Sequence, residues 1–425
     1  LPASAEAPRL IGAALALDRL ARRDQALLTG VADWERPLEL ARARAPSSAA
    51  SERVLAAAYL EIWPGLDGDR RERATRVLRT AFEEPGFRQR AFDRWLALAG
   101  SIDAATALLP DLPDVWARLL RAAADGGDLE RAAQLAVREQ DALERSLGEQ
   151  LERAEQLAGK PGGDLAARGE IDRLLELAPP DLRFAPLVGR ALASRPAGPA
   201  GPSLARAARR WLVWARPLVL LGFEPLPPAA LGRLAGAVGA GLPAEEAAWA
   251  ALASGDRPRA ELLARRSDAL WSEAWAPYLV LDARARLAAG ERSEARALLE
   301  QVHRNARRWP SWRQLARAAG LAPPPPAARE PAGWQPTHWQ VEARVPRLAF
   351  ELAAPARGLR LGLATPLAQP TLLVAELDGR SRRPIALEAG ATEIRLPFPL
   401  EPGAHLLRIS VRTGSAPALG VTTPE

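Results

Sequence analysis

Three histidines, His303, His338 and His405, are the only imidazoles in the chain, and they stand far apart in sequence. None falls in an HxH or HExxH spacing, so no pair is set on one helix face to hold zinc. Cysteine is absent, which removes disulfides, thiolate metal sites, iron–sulfur clusters and thiol nucleophiles together. No GxSxG elbow, phosphate loop or dinucleotide fingerprint occurs. Gly232, Gly236, Gly239 and Gly241 cluster, but without a preceding strand or a Lys-Ser/Thr they read as close helix packing. Glu245 and Glu246 suit the first turn of a helix, where the dipole favours carboxylates, although two facing acids in three dimensions would build a glycosidase site. These residues predict a noncatalytic chain with no metal and no cofactor.

Binding chemistry is better represented. From Gln301 to Ala328 there is no acidic residue. This stretch carries the predicted partner-binding set Arg304, Arg307, Arg308, Trp309, Trp312, Arg313 and Arg317, beside His303. Arginine with tryptophan is the composition of a buried interface centre, and guanidinium also suits phosphate or carboxylate. The competing reading puts Trp312 in the core and the arginines on helix C-termini. A second set, Arg206, Arg209, Arg210, Trp211 and Trp214, precedes the apolar run 217–223 and reads as a surface facing a partner or an anionic membrane, against a core helix.

The elements that would position these residues follow from composition. The chain has 425 residues, 48% hydrophobic and 25% charged, which is globular and long enough for two or three domains. The net charge is +6, yet basic residues are interleaved with acids, as in Asp69-Arg70-Arg71-Glu72-Arg73, so a salt-bridged helix surface is predicted rather than a nucleic-acid partner. Lys160 is the only lysine and Asn305 the only asparagine, a skew that points to a GC-rich bacterium. Methionine is also absent and the sequence opens Leu1-Pro2-Ala3-Ser4. That start suits a mature end after signal-peptide removal, and a sulfur-free chain suits an oxidising compartment. An extracytoplasmic location, periplasm or cell surface, is expected. The most apolar run, 211–223, is too short to span a membrane and is interrupted at Arg216-Pro217.

Apolar residues recur at helical spacing in Leu10, Ala13, Leu17 and Leu20, and again in Trp116, Leu119, Leu120 and Ala123. Residues 1–321 therefore read as successive helices. Residues 322–336, with Pro323 to Pro326, read as a semi-rigid linker, and 337–425 as strands. Residues 139–156, with Leu143, Leu147 and Leu151 on one face, read as a long helix laced with i, i+4 ion pairs. It either projects or forms the second helix of an ordinary hairpin.

One spacing is more specific. Trp116, Leu119, Ala123, Gly127 and Ala132 give W-x2-L-x3-A-x3-G-x4-A. The half-motif Gly-x4-Ala recurs at Gly100 and Ala105, Gly255 and Ala260, and Gly290 and Ala295. The pattern resembles the tetratricopeptide repeat. The resemblance implies a right-handed α-solenoid of helical hairpins that binds peptides or protein helices along its groove; a closed α/α toroid is the structural rival. In the last region, the runs 341–345, 359–363 and 393–396 alternate with period two, and Asp378-Gly379 joins two apolar runs as a hairpin. Seven or eight short strands suit a small antiparallel β-sandwich, which resembles immunoglobulin-like architecture.

The expected fold is thus multidomain α plus β: an N-terminal α-solenoid and a C-terminal β-sandwich. The expected role is a scaffold or adaptor within an envelope assembly, with other proteins as partners and peripheral contact with the membrane surface as a further option. The alternatives are a carbohydrate-processing or polysaccharide-export accessory, and the soluble part of a larger membrane protein.

Overall fold

The computed structural model describes residues 49–323, except 268 and 271, and residues 334–424, except 343–344, 353, 379–380 and 415–418. The stripe Leu10, Ala13, Leu17 and Leu20 and most of the proline-rich linker lie outside the described residues. Among the described residues, helices come first and strands follow, an α plus β architecture. The helices are α1 (Ala49–Ile62), α2 (Gly68–Glu83), α3 (Pro85–Ala99), α4 (Ile102–Thr106), α5 (Pro113–Asp125), α6 (Leu129–Ala158), α7 (Asp164–Leu177), α8 (Ala185–Ser194), α9 (Pro202–Leu221), α10 (Pro228–Val238), α11 (Ala244–Ala253), α12 (Arg257–Arg265), α13 (Ala276–Ala288), α14 (Arg292–Gln301) and α15 (Pro310–Ala318). The chain divides into two compact units, Leu1–Leu119 and Leu120–Glu425.

In the first unit, α1 packs on α2 and α3, and α3 packs on α4. Leu55, Tyr59, Phe82, Phe92 and Trp95 fill its core. Side chains start its helices: Asp67 accepts from the Arg70 amide, and Glu84 from the amides of Gly86 and Phe87. Each satisfies backbone donors that the first turn leaves without a partner.

In the second unit, α6 pairs with α7, α9 with α10, α11 with α12 and α13 with α14, and alternate helices stack: α7 on α9, α11 on α13, α13 on α15. One joint recurs between paired helices. Gly127, Gly255 and Gly290 hold φ of 80°, 88° and 81°, a left-handed conformation that a side chain disfavours. The next amide then reaches back five residues, from Asp128 to the Ala123 carbonyl at 2.9 Å, Asp256 to Ala251 at 2.8 Å and Glu291 to Arg286 at 2.9 Å. Asp128 and Asp256 also cap the helix that follows. Ala132, Ala260 and Ala295 are fully buried five residues after each glycine. In the first unit, Gly100 and Ala105 repeat the positive φ and the buried alanine.

One expectation needs correction, and one pair of alternatives is decided. The apolar run 211–223 is not interrupted at Pro217: α9 continues through it to Leu221. Buried Leu218 and Leu220 hold that last turn in the core, which offsets the roughly 3 kcal/mol that an internal proline costs a helix. The helix over 139–156 does not project. It is the middle of α6, which packs on α7, α8 and the sheet, with Leu147 and Leu151 buried. No described helix is long and apolar enough to cross a membrane.

The strands are β1 (Trp334–Glu342), β2 (Val345–Leu352), β3 (Leu359–Leu363), β4 (Thr371–Leu377), β5 (Ser381–Leu387), β6 (Glu393–Leu396), β7 (Gly403–Thr413) and β8 (Leu419–Pro424). They form antiparallel sheets of order β1-β2-β7-β4-β5 and β6-β3-β8. Leu348, Phe350, Leu373, Ala375 and Leu407 of one sheet share a core with Leu359, Leu361, Ile394 and Leu396 of the other, so the arrangement is a sandwich. The run 341–345 is not one strand, because Glu342 and Val345 face each other across the β1–β2 pair. Asp378, at φ 52°, turns the chain from β4 towards β5.

Every residue of β4 is buried. Leu373, Ala375 and Leu377 face the sandwich core, while the other face of the sheet packs on helices. β4 and β5 meet α6, β7 meets α9 and β2 meets α15. Leu406 belongs to the helical core.

Candidate functional site

The first question is what the arginines do. Helix C-termini leave four carbonyls without intrahelical donors, and in this protein arginines from other elements fill that need. Arg210 donates to the carbonyls of Glu176 and Ala178, each at 2.8 Å, at the end of α7. Arg233 donates to Leu192 and Ala193 at the end of α8. Arg284 donates to Val219 and Leu220 at the end of α9, and its burial pushes its pKa down. Arg88 does the same for Phe82 and Glu83 in the first unit. A cation at this end also meets the favourable pole of the helix dipole.

The predicted set in residues 304–317 divides on this basis. Arg307 donates through Nε to the Val302 carbonyl at 2.8 Å and through Nη2 to Glu300. Trp312 is 3% exposed, and its indole N–H donates to the Leu299 carbonyl at 3.0 Å. Both therefore close the end of α14. Arg313 is buried as well. Trp312 and Arg313 are thus enclosed by the fold, while Arg307 is half-buried and engaged at the end of α14. Trp309 is half-buried against that core, and Arg304 and Arg317 are exposed. The Arg308 side chain lies outside the described residues.

The second set also divides. Trp211 and Trp214 are core residues, 0% and 2% exposed, packed edge to face at 5.2 Å. They cannot lie on a membrane. Arg209 donates to the Gly241 carbonyl, and Arg206 pairs with Glu176 at 3.4 Å. Sequence reasoning raised core and cap roles as the competing reading, but one helix period cannot say which neighbour faces which stripe.

Two titratable clusters were not anticipated. Asp282, 3% exposed, stands 3.6 Å from both Arg257 and Arg286, joining α12 to α13. Burial raises its pKa, and the two guanidinium groups only partly oppose that. Tyr278 beside it is pushed up to about 12, by burial first and then by the charges of Asp282 and Glu261. In the sandwich, His405 Nδ1 lies 2.8 Å from Asp378 Oδ2, and Nε2 lies 2.7 Å from the Glu401 carbonyl. A carbonyl and a carboxylate both demand a donor, so the imidazolium suits this site. Burial opposes the charge, but the bonds to Asp378 and Glu401 outweigh it and the pKa is raised. With both ring nitrogens engaged, this pair holds the β4–β5 turn rather than activating a nucleophile. His303 sits 3.9 Å from Glu273, and the His338 side chain lies outside the described residues. Among the described residues, no cluster of three or more His, Asp or Glu is placed to hold a metal ion.

No protein-family model matches the chain, and no curated protein matches it.

Proposed function

We propose that the protein is a noncatalytic scaffold that holds other proteins within an extracytoplasmic envelope assembly. The observation that carries this reading is the recurring helical joint: a left-handed glycine, an amide reaching back five residues, and a fully buried alanine. Stacked units of this kind add helix surface with each repeat and serve as platforms for polypeptide partners. The joint also supports the finer reading of irregular tetratricopeptide-like repeats, and the two-sheet sandwich supports an immunoglobulin-like module. The one histidine–aspartate contact among the described residues, saturated at both ring nitrogens, favours structure over catalysis. The envelope setting rests on composition, a chain without cysteine or methionine. Of the arginines 304–317, Arg304 and Arg317 are the exposed ones with described side chains.

Affinity capture of the tagged full chain from a solubilised bacterial envelope fraction tests this. Stoichiometric co-purifying proteins are expected. A clean chain that retains only glycan would overturn the scaffold reading in favour of a carbohydrate-related one. Variants R304E and R317E are the ones to compare, since a change at Arg313 would disturb a buried position and one at Arg307 the end of α14.

A further inference from the structure

Helix α2 carries a row of exposed arginines. Arg71, Arg73, Arg76 and Arg79 are all exposed along it. Asp69, Glu72 and Glu83 share the helix, yet none of the four arginines has a carboxylate partner among the described residues. Arg71 and Arg79, with Thr75 between them, form one stripe at i, i+4 and i+8. That stripe borders a cleft of about 430 Å³ walled by Trp63, Trp95, Leu98 and Leu108, with no acidic residue in its lining. The volume falls in the roughly 300–1,000 Å³ range of ligand-binding clefts.

The lining is made up of the turn before α2, the face of α2, the end of α3, Ala104 of short α4 and the two residues that follow α4, Ala107 and Leu108. Its aromatic wall is rigid. Trp63 and Trp95 pack edge to face at 4.9 Å, and the Trp95 indole N–H is held by the Ala105 carbonyl at 3.0 Å. The Arg71 guanidinium lies over the Trp63 ring at 5.3 Å and donates weakly to its carbonyl at 3.4 Å. Arg79 reaches the Ala107 carbonyl only at 3.5 Å. Both cations thus keep most of their donors for an outside acceptor. The stacking face of Trp63 is already covered by Arg71, which disfavours a nucleobase, since single-strand binders need open aromatic faces.

We propose that this cleft binds an extended acidic peptide segment of a partner protein. This deepens the scaffold reading and rests on it. The spacing sets the motif. Eight residues of helix separate Arg71 from Arg79 by about 12 Å, and an extended peptide covers that distance in about four residues. Two carboxylates four positions apart would pair with the two guanidinium groups. An apolar side chain between them would enter against Trp63, Leu98 and Leu108.

The test is fluorescence anisotropy of the full chain with a labelled Glu-Ser-Leu-Ser-Glu peptide, its Gln-Ser-Leu-Ser-Gln counterpart and a ten-nucleotide oligothymidylate. Saturable binding of the acidic peptide alone is expected, weakened about tenfold in R71Q/R79Q and unchanged in R259Q. Absent binding, equal binding of the uncharged peptide, an unaffected double variant, or preference for the oligonucleotide would each overturn the proposal. Should R71Q/R79Q not fold by circular dichroism, a photoreactive form of the same peptide keeps the test open. Cross-links mapping within 63–108 are expected, and cross-links elsewhere defeat it. Envelope proteins captured equally by the native chain and by R71Q/R79Q would sink the cleft and leave the scaffold standing. Capture of no protein would sink the scaffold itself.

Discussion

At the scale of single residues, arginine is the main structural reagent of this protein. Its fork of donors reaches two or three carbonyls at once, as Arg210, Arg284 and Arg307 do. Arg284→Ala would leave the half-buried carbonyls of Val219 and Leu220 without these donors. It is expected to cost about 1–3 kcal/mol in denaturant unfolding. Arg259→Ala, at an exposed position, is expected to stay within about 0.5 kcal/mol. His405 makes a pH prediction. Its folded pKa lies above the unfolded value, so its contribution is complete below the unfolded pKa of about 6.5. That contribution is lost as pH rises through the folded pKa. Chemical denaturation at pH 5.5 and at pH 9 should show the loss, and H405Q should flatten it. An unchanged pH slope in H405Q would remove the imidazolium from the account.

At the scale of elements, the helical joint depends on two small residues doing different work. Glycine supplies the backbone angle, and alanine supplies room for the second helix. Gly255→Ala at φ 88° should cost about 1 kcal/mol from the left-handed conformation alone. Ala260→Leu at a site with no exposure should cost about 1–3 kcal/mol by overpacking. Thermal melts of both variants check the pair. If Ala260→Leu proves neutral, the close approach of α11 and α12 is not what holds that hairpin.

At the scale of the second unit, the sandwich is docked on the helices rather than hanging from them. Arg408 donates to the Pro180 carbonyl at 2.7 Å and stands 4.0 Å from the buried Glu376, while Arg412 lies 3.8 Å from Glu139. Glu376 and Arg408 are neighbours on one sheet face, and that face meets α6 and α9. Breaking a buried pair leaves an uncompensated charge, at a cost of about 3 kcal/mol. Arg408→Ala is therefore expected to separate the melting of the sandwich from that of the helices, so that calorimetry of the variant resolves an additional transition. A single unshifted transition would show that the apolar contacts around Leu406 suffice.

Local rules account for what was legible in the residues themselves. Gly-x4-Ala marked four real helix joints, because positive φ and close approach each admit few residue types. The Asp378-Gly379 hairpin, the alternating strands 359–363 and 393–396, and the order of helices before strands were readable for the same reason. What surrounds a side chain was not. The alternation at 341–345 spans a reversal of the chain, since period two says nothing about where a strand turns back. Trp211, Trp214 and Trp312 carry the same residue type whether they face a partner or a core, and Arg307 the same charge whether it meets solvent or the end of α14. The run Leu372 to Ala375 in β4 is apolar on both faces, but only the tertiary structure supplied the helices that cover it and the partner of Glu376. Burial and partner choice depend on residues distant in sequence, and those meet only when the chain has folded.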